Sequence, residues 1–570
     1  MKRNSIKGWI TNNTHYLIYV FCVVGLFVVN TIRVNGTGAQ WGFANEFVGL
    51  IVFVMLTVRT GVKDYIKPRT GIIALAFAAV FPFVFSRFRT GTDYDMRLVG
   101  RYVSFFFCVI LIIRFLEILI KTKKPLLKRN IVFILWLLLM ITCIASRNKS
   151  IVPFYVLIFF GSFYFEPVTD EEKGVLLNAI TDGIIVGFFI YQSLAFLHSP
   201  YDIARYRGFF SNSDCNAKFY TISYIGFLMK YSLLRRRNKK TAIIFFLFGA
   251  AMLGFTLFTV MRSGLFAVGL VTLVYLIVEE IMLFRTGFKG FILQGMKLAV
   301  VALISLPIIY ICIRYIPALR HHPIFHGTYS EKRVHAWDPI DSEKYISPEE
   351  FLEVSFGRKL TFSYTTKDVD FSEDRPETET QKKKNLPEIA SIKELTADGQ
   401  RVIEYEDGTK PGTDSSHPVY IKLTYTGRFE NLFGIRKYIF ETYLRDVKLM
   451  GNVSEFSGYW LTCEWAYTSS HCTYLDFASR YGILATVAYI LFIAAVVIIS
   501  FKRIKQNASI HMHNIEIPWL VFSLCVMVAC IGWGIVYSTL FWGEILESMF
   551  WLSVFPVINI DEKEEMNAIV

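Results

Sequence analysis

The sequence holds no CxxC pair, no glycine-rich phosphate loop, no HExxH helix and no nucleophile elbow. Zinc-ribbon, nucleotide-cradling, zincin and hydrolase chemistries therefore lack their local signatures. The nine cysteines are scattered, and Cys22, Cys108, Cys143, Cys525 and Cys530 fall inside apolar runs, where a thiol packs as a small core side chain. Cys463 and Cys472 lie close to the end of a polar stretch and would pair only on an oxidising side. No heptad pattern marks a coiled coil, and no internal repeat marks a transporter built of symmetric halves. The basic start MKRNSIKGWITNNTHYLIYV is followed by no small-residue cleavage site, so its apolar run reads as a retained first span. Charged residues make up only 19% of the chain.

What fills the chain is apolar surface. Over 570 residues, 54% are hydrophobic and 16% aromatic, with a mean hydropathy of +0.42, too apolar for a soluble multidomain protein. About 14 runs (12–14) approach the length a helix needs to cross a bilayer, from 15–32 to 540–559. The run 151–166 is short and follows the tight RNKS gap, so with 130–146 it reads as a tilted hairpin or a re-entrant pair. The fold class predicted is an all-α polytopic membrane protein with one large extracytoplasmic loop.

The net charge of +13 does not point to nucleic acid, because lysines and arginines cluster in short alternate loops, which is how topology is set. The basic loops are those around Lys2, Arg59, Lys121, Arg235 and Lys502, and they place both termini in the cytoplasm. The acidic loop near Asp170 breaks the trend without overturning it. The outward segments are then 87–101, 199–216, 261–262 and a long insert. This divides the chain into an N-terminal helix bundle (1–317), an extracytoplasmic loop (318–472) and C-terminal spans (473–570). Within the loop, 370–388 is loop-like, Gln400 to Gly412 resembles a small hairpin around Asp407 and Gly408, and 420–450 has the spacing of amphipathic helices on a membrane surface.

The outward segments carry the chemistry. SRFRTGTDYDMR holds Arg87, Arg89, Asp93 and Tyr94; ARYRGFFSNSDCNAKFY holds Arg205, Arg207, Asp214 and Asn216; FTVMRSGLFAVG holds Arg262 and Ser263; LTYTGRFENLFGIRKYIF holds Arg428 and Arg436. A guanidinium matches phosphate oxygens through paired donors and stays charged, so arginines converging on a membrane edge suit a lipid-linked diphosphate. Arg87, Arg101 and Arg436 read better as interfacial anchors. Arg262, between two apolar runs with almost no loop, is harder to assign that way. His471 ends the insert, and Asp476 and Arg480 follow on one helix face, four apart. The histidines of HHPIFH (His321, His322, His326) have weak metal spacing and read as an exposed loop.

In this order, RYRGFFSNSDCNAKFY, then FTVMRSGLFAVGLVTLVYL, then TGRFENLFGIRKYIF ahead of HCTYLDFASRYGILATVAYILF, the chain resembles the bacterial O-antigen ligase and Wzy-type polysaccharide polymerase superfamily. RTGTDYD separately looks like an element of Gram-positive-type exopolysaccharide polymerases. The match covers Arg205 to Ile490, about half the chain. It departs from the family in having Cys472 where an asparagine usually follows the histidine, in a longer insert, and in about two extra N-terminal spans.

The resemblance implies a lipid-phosphate-sugar glycosyltransferase of GT-C-like architecture in a bacterial cytoplasmic membrane, acting at the outer face. Its donor would be a glycan on undecaprenyl diphosphate, and its acceptor a sugar hydroxyl at the end of another such glycan, or a different surface acceptor in the ligase case. Arg207, Arg262 and Arg428, with Arg89, would hold the diphosphate and stabilise it as leaving group. His471, with an ordinary pKa near ~6.5, would accept or orient the acceptor proton. Asp93 and Asp214 rank below it as bases, and Arg205, Asn216, Asp476 and Arg480 are secondary. No cofactor or metal is demanded. Expected partners are the lipid-linked glycan, membrane lipids and other polysaccharide-export or chain-length proteins. The alternative is a lipid-linked oligosaccharide flippase, which would line a mid-membrane path with charge; a chain-length regulator would need the missing coiled coil.

Overall fold

The computed structural model describes residues 13–35, 38–85, 95–122, 131–148, 150–166, 168–197, 201–202, 205–210, 213–237, 239–318, 389–395, 400–405, 440, 443–444, 447–452, 459–461, 465–467, 472–507, 516–536 and 545–558. The body is helical. Helices α1 (Thr14–Asn35), α2 (Gly38–Thr60), α3 (Pro68–Phe85), α4 (Asp95–Thr122) and α5 (Ile131–Ala145) lead to α6 (Val152–Phe165), which contains a π turn at Val156–Phe160. Then come α7 (Asp170–Leu197), α8 (Ser213–Arg236), α9 (Ala242–Phe258), α10 (Arg262–Leu276) with a second π turn at Ile277–Leu283, and α11 (Gly287–Ala318). After the insert follow α12 (Thr473–Tyr481), α13 (Ile483–Asn507), α14 (Glu516–Val536) and α15 (Ile545–Ile558).

Five stretches are long and apolar enough to cross a membrane: Asp170–Phe196, Arg262–Leu283, Gly287–Ile313, Ile483–Gln506 and Glu516–Ile535, and seven shorter apolar helices accompany them among the described residues. This is the construction of a polytopic membrane protein. The helices follow the apolar runs because a backbone without water must satisfy its own hydrogen bonds, which a helix does within one segment. α11 turns Phe288, Ile292, Met296, Leu303 and Ile308 outward, as a helix facing lipid would. α8 is its opposite. It packs against α7, α9, α10, α14 and α15 and is buried almost throughout, so it can be polar. Its Thr221 and Ser223 hydroxyls donate to the carbonyls of Ala217 and Phe219, each at 2.8 Å.

Two readings of the sequence need correction. The apolar run 473–500 is two helices, broken at Gly482 with φ of +94°. A methyl at Gly482 would lie 2.3 Å from the Leu449 carbonyl oxygen, so the left-handed turn and the close approach both demand glycine. The hairpin is also displaced. The strand Gln400–Tyr405 pairs with the upstream strand Ile389–Leu395, so Asp398–Gly399 lie between the strands in place of Asp407–Gly408. Both dipeptides carry equal turn signals, but Pro411 and Pro418 spoil the downstream segment as a strand partner. Two shorter ribbons, Tyr201–Asp202 with Arg205–Tyr206 and Tyr459–Leu461 with Trp465–Tyr467, complete the strands described. Residues 318–388 are described only at Ala318, and 420–439, where amphipathic helices were expected, lie outside the described residues.

The long helices alternate in direction, which sorts their polar groups to two ends. At one, Arg114 meets Glu166 at 3.0 Å, Lys67 meets Glu117 at 2.8 Å, Arg503 meets Glu516 at 3.0 Å, and Arg235 and Arg236 meet Glu280 and Glu279. Arg59 lies over the Phe163 ring at 4.5 Å. We call this the ion-pair end. The other end gathers the starts of α8, α10, α12 and α15 and the finish of α14.

Candidate functional site

At that second end the Arg207 turn is set by its neighbours. Tyr206 is buried and stacked on Tyr220. Gln192 bridges the two, donating to the Tyr206 hydroxyl at 3.0 Å and accepting from the Tyr220 hydroxyl at 2.8 Å. The chain then turns at Gly208, with φ of +57°, where a Cβ would lie 2.8 Å from Asn216 Oδ1. Asn216 donates back to the Tyr206 carbonyl at 3.3 Å. Arg207 is thereby buried at 7% exposure, and Asn216 works as the holder of the turn.

A second turn presents Arg262. Thr259 donates to the Thr256 carbonyl at 2.6 Å and accepts from the Met261 amide at 3.3 Å. Val260 takes a φ of +54°, which a β-branched residue adopts only at a cost. Arg262 is exposed at the first position of α10. The start of α8 is tied to this turn, since Ser213 Oγ donates to Met261 Sδ at 3.4 Å.

The third piece is the start of α12, where Cys472 is the N-cap and the Asp476 amide donates to its carbonyl at 3.0 Å. Cys472 is buried, and Cys463 lies outside the described residues. Asp476 is buried and Arg480 partly exposed, both on the helix that their spacing predicts. The close of the insert clasps α12. Asn452 donates through Nδ2 to the Ser479 carbonyl at 2.8 Å, and its own carbonyl accepts from Asn148 Nδ2 at 3.3 Å.

These pieces form one patch around α14. A Cβ on Gly264 would lie 2.9 Å from Ala217 Cβ and 3.4 Å from Trp533 Cζ2, while one on Gly534 would lie 3.4 Å from Thr473 Oγ1. The fold thus joins the Arg207 turn, through Asn216 and Ala217, to the Arg262 turn, then through Trp533 and Gly534 to the residue pair that follows His471. Arg205 contributes its backbone to a ribbon; its side chain, with His471, Arg89, Asp93, Arg428 and the histidines 321, 322 and 326, lies outside the described residues.

The sequence reading passed over two buried ionisable residues here. Lys218 is 1% exposed, with its ammonium 5.9 Å from the Trp533 ring centre, and Trp533 donates to Thr221 Oγ1 at 3.2 Å. Glu547 is buried in the first turn of α15, whose Ile545 amide donates to Asn30 Oδ1 at 3.1 Å. The signal was present: an ionisable residue inside an apolar stretch is a functional candidate by default. The end therefore mixes cations with the carboxylates of Asp476 and Glu547, an arrangement able to bind an anion while keeping an acid within the bundle. No family model, curated protein or solved structure matches the chain.

Proposed function

We propose that the protein is a membrane glycosyltransferase that polymerises or ligates surface polysaccharide. It transfers a glycan from undecaprenyl diphosphate to an acceptor sugar hydroxyl at the outer face of the bacterial cytoplasmic membrane. In this reading the chain has about 14 spans (12–14) in a GT-C-like architecture, both termini are cytoplasmic, and the Arg207 end faces outward. One observation carries the proposal: two arginine turns and the segment following His471, far apart in sequence, are linked through Asn216–Ala217, Gly264 and Trp533–Gly534.

Chemically, the bond from the anomeric carbon to the diphosphate oxygen breaks as the acceptor oxygen bonds to that carbon. Arg207 and Arg262, joined by Arg428 and Arg89, take up the charge developing on the leaving diphosphate. His471 accepts the hydroxyl proton. Glycan lengthening from a purified lipid-diphosphate oligosaccharide tests this, with Arg207→Ala and His471→Ala beside the unchanged protein. Loss of longer chains in both supports the roles, and undiminished lengthening in either removes that residue's role. The flippase alternative draws on Asp182, which accepts from Lys230 and from the Tyr16 hydroxyl, both at 2.7 Å, inside the bundle. Transport of the lipid-linked glycan across vesicles without lengthening would favour it.

A further inference from the structure

The start of α10 is built as a helix end that the described residues leave open. The residue at the N-cap is Met261, which provides no side-chain cap, and its thioether is engaged by Ser213. The first intrahelical bond runs from the Leu265 amide to the Met261 carbonyl at 3.0 Å, and helix geometry leaves the Ser263 and Gly264 amides without an intrahelical acceptor. A serine, threonine or aspartate at the N-cap would have closed them.

Independently, the Ser263 hydroxyl is buried, at 5% residue exposure, and has no hydrogen-bond partner among the described residues. Cα–Cβ bonds in a helix tilt toward its N-terminus, so a hydroxyl at the second helical position leans toward the space the open amides face. A buried donor without an acceptor costs free energy that an arriving acceptor recovers. The electrostatics agree, because the helix dipole places partial positive charge at this end. Arg262 stands at the first position, and the buried Lys218 follows the Ala217 that abuts Gly264. The strained Val260 turn holds the opening in place.

We propose that the N-terminus of α10 is a phosphate seat, in which the Ser263 hydroxyl and the Ser263 and Gly264 amides donate to phosphate oxygens and Arg262 covers the exposed side. That the occupant is the carrier's diphosphate rests on the function proposed above; the seat itself does not. A phospholipid headgroup carries the same chemistry.

The test uses the full chain in nanodiscs of zwitterionic lipid, with pyrophosphate as probe. Ser263→Ala should weaken pyrophosphate binding about tenfold, the size of one hydrogen bond to a charged group, and leave the ligand-free melting temperature unchanged or higher, since the lost hydroxyl has no partner. Equal affinity in a folded Ser263→Ala overturns the seat. Should that variant fail to fold, hydrogen exchange on the unchanged protein decides. Pyrophosphate must slow exchange in the peptide spanning 259–266, and no slowing overturns the seat. Repeating the binding in phosphatidylglycerol nanodiscs separates the sources: competition there assigns the seat to a headgroup, and its absence assigns it to a diphosphate. A seat that binds pyrophosphate in a protein that lengthens no glycan keeps this inference and removes the polymerase. Lengthening indifferent to Ser263→Ala keeps the polymerase and removes the carrier's diphosphate as the occupant of the seat.

Discussion

At one end of the bundle Arg236 reaches Glu279, Arg235 reaches Glu280 and Arg114 reaches Glu166; at the other, Arg207 and Arg262 are carried on turns shaped by Gly208, Asn216, Thr259 and Val260. The first end fixes its arginines by side-chain pairing with glutamates, and at the second the turns that carry Arg207 and Arg262 are shaped by backbone and by Asn216 and Thr259. Pairing makes an arginine part of the scaffold, because removing either partner strands a buried charge. The ion-pair end should therefore answer mutation with lost stability, and the Arg207 end with lost binding and transfer.

The hardest test of that contrast is Glu279→Gln. Glu279 is fully buried, and its loss should cost about 3–5 kcal/mol by leaving Arg236 uncompensated, read as a collapse of the melting temperature in detergent. Arg236→Gln added to it should recover much of the loss. Gly208→Ala comes next, at about 1–2 kcal/mol for a left-handed side chain, with glycan transfer falling further than the melting temperature alone explains. If stability and transfer fall together, the Arg207 end is scaffold as well and the contrast breaks. Asn452→Ala removes the bond to the Ser479 carbonyl, at about 1 kcal/mol, and should speed hydrogen exchange at 448–452 and 479–483 while leaving 277–286 unchanged. The smallest effect belongs to Asp170→Asn, whose carboxylate is 81% exposed and meets Lys173 at 2.9 Å. Its melting temperature should stay within the error of the measurement, since such pairs contribute about 0–1 kcal/mol.

Much of the helical body could be read in advance, because apolar run length reports helix length directly: the run 241–259 became Ala242–Phe258, and 176–197 falls within Asp170–Leu197. What covers a helix was not legible. α8 contains Lys218, Thr221, Ser223 and Lys230 and would suit lipid poorly, yet it lies at the centre because five other helices shield it. The break at Gly482 was hidden for a related reason. Its cause is the Leu449 carbonyl of a distant segment, and no local pattern encodes that approach. Of the site, the order of arginine segments was visible, but not the element that unites them. Trp533 and Gly534 carry no charge and no motif, and only packing brings them between Gly264 and Thr473.

The paired glutamates have a mechanical meaning. Glu279 and Glu280 are consecutive, as are Arg236 and Arg235, and consecutive residues of a regular helix point about 100° apart. The π turn, with the Phe284 amide reaching back five residues to the Glu279 carbonyl at 2.8 Å, widens the helix where both acids must meet one neighbour. The match works like a vernier between α8 and α10: a slide of one residue breaks both contacts together. Piston motion between these helices is thereby blocked, and their relative height is set at Glu279 and Glu280. The same two rods carry the Arg207 holder and Arg262 at their far tips, so a gauge at one face of the bundle keeps the spacing of two cations at the other.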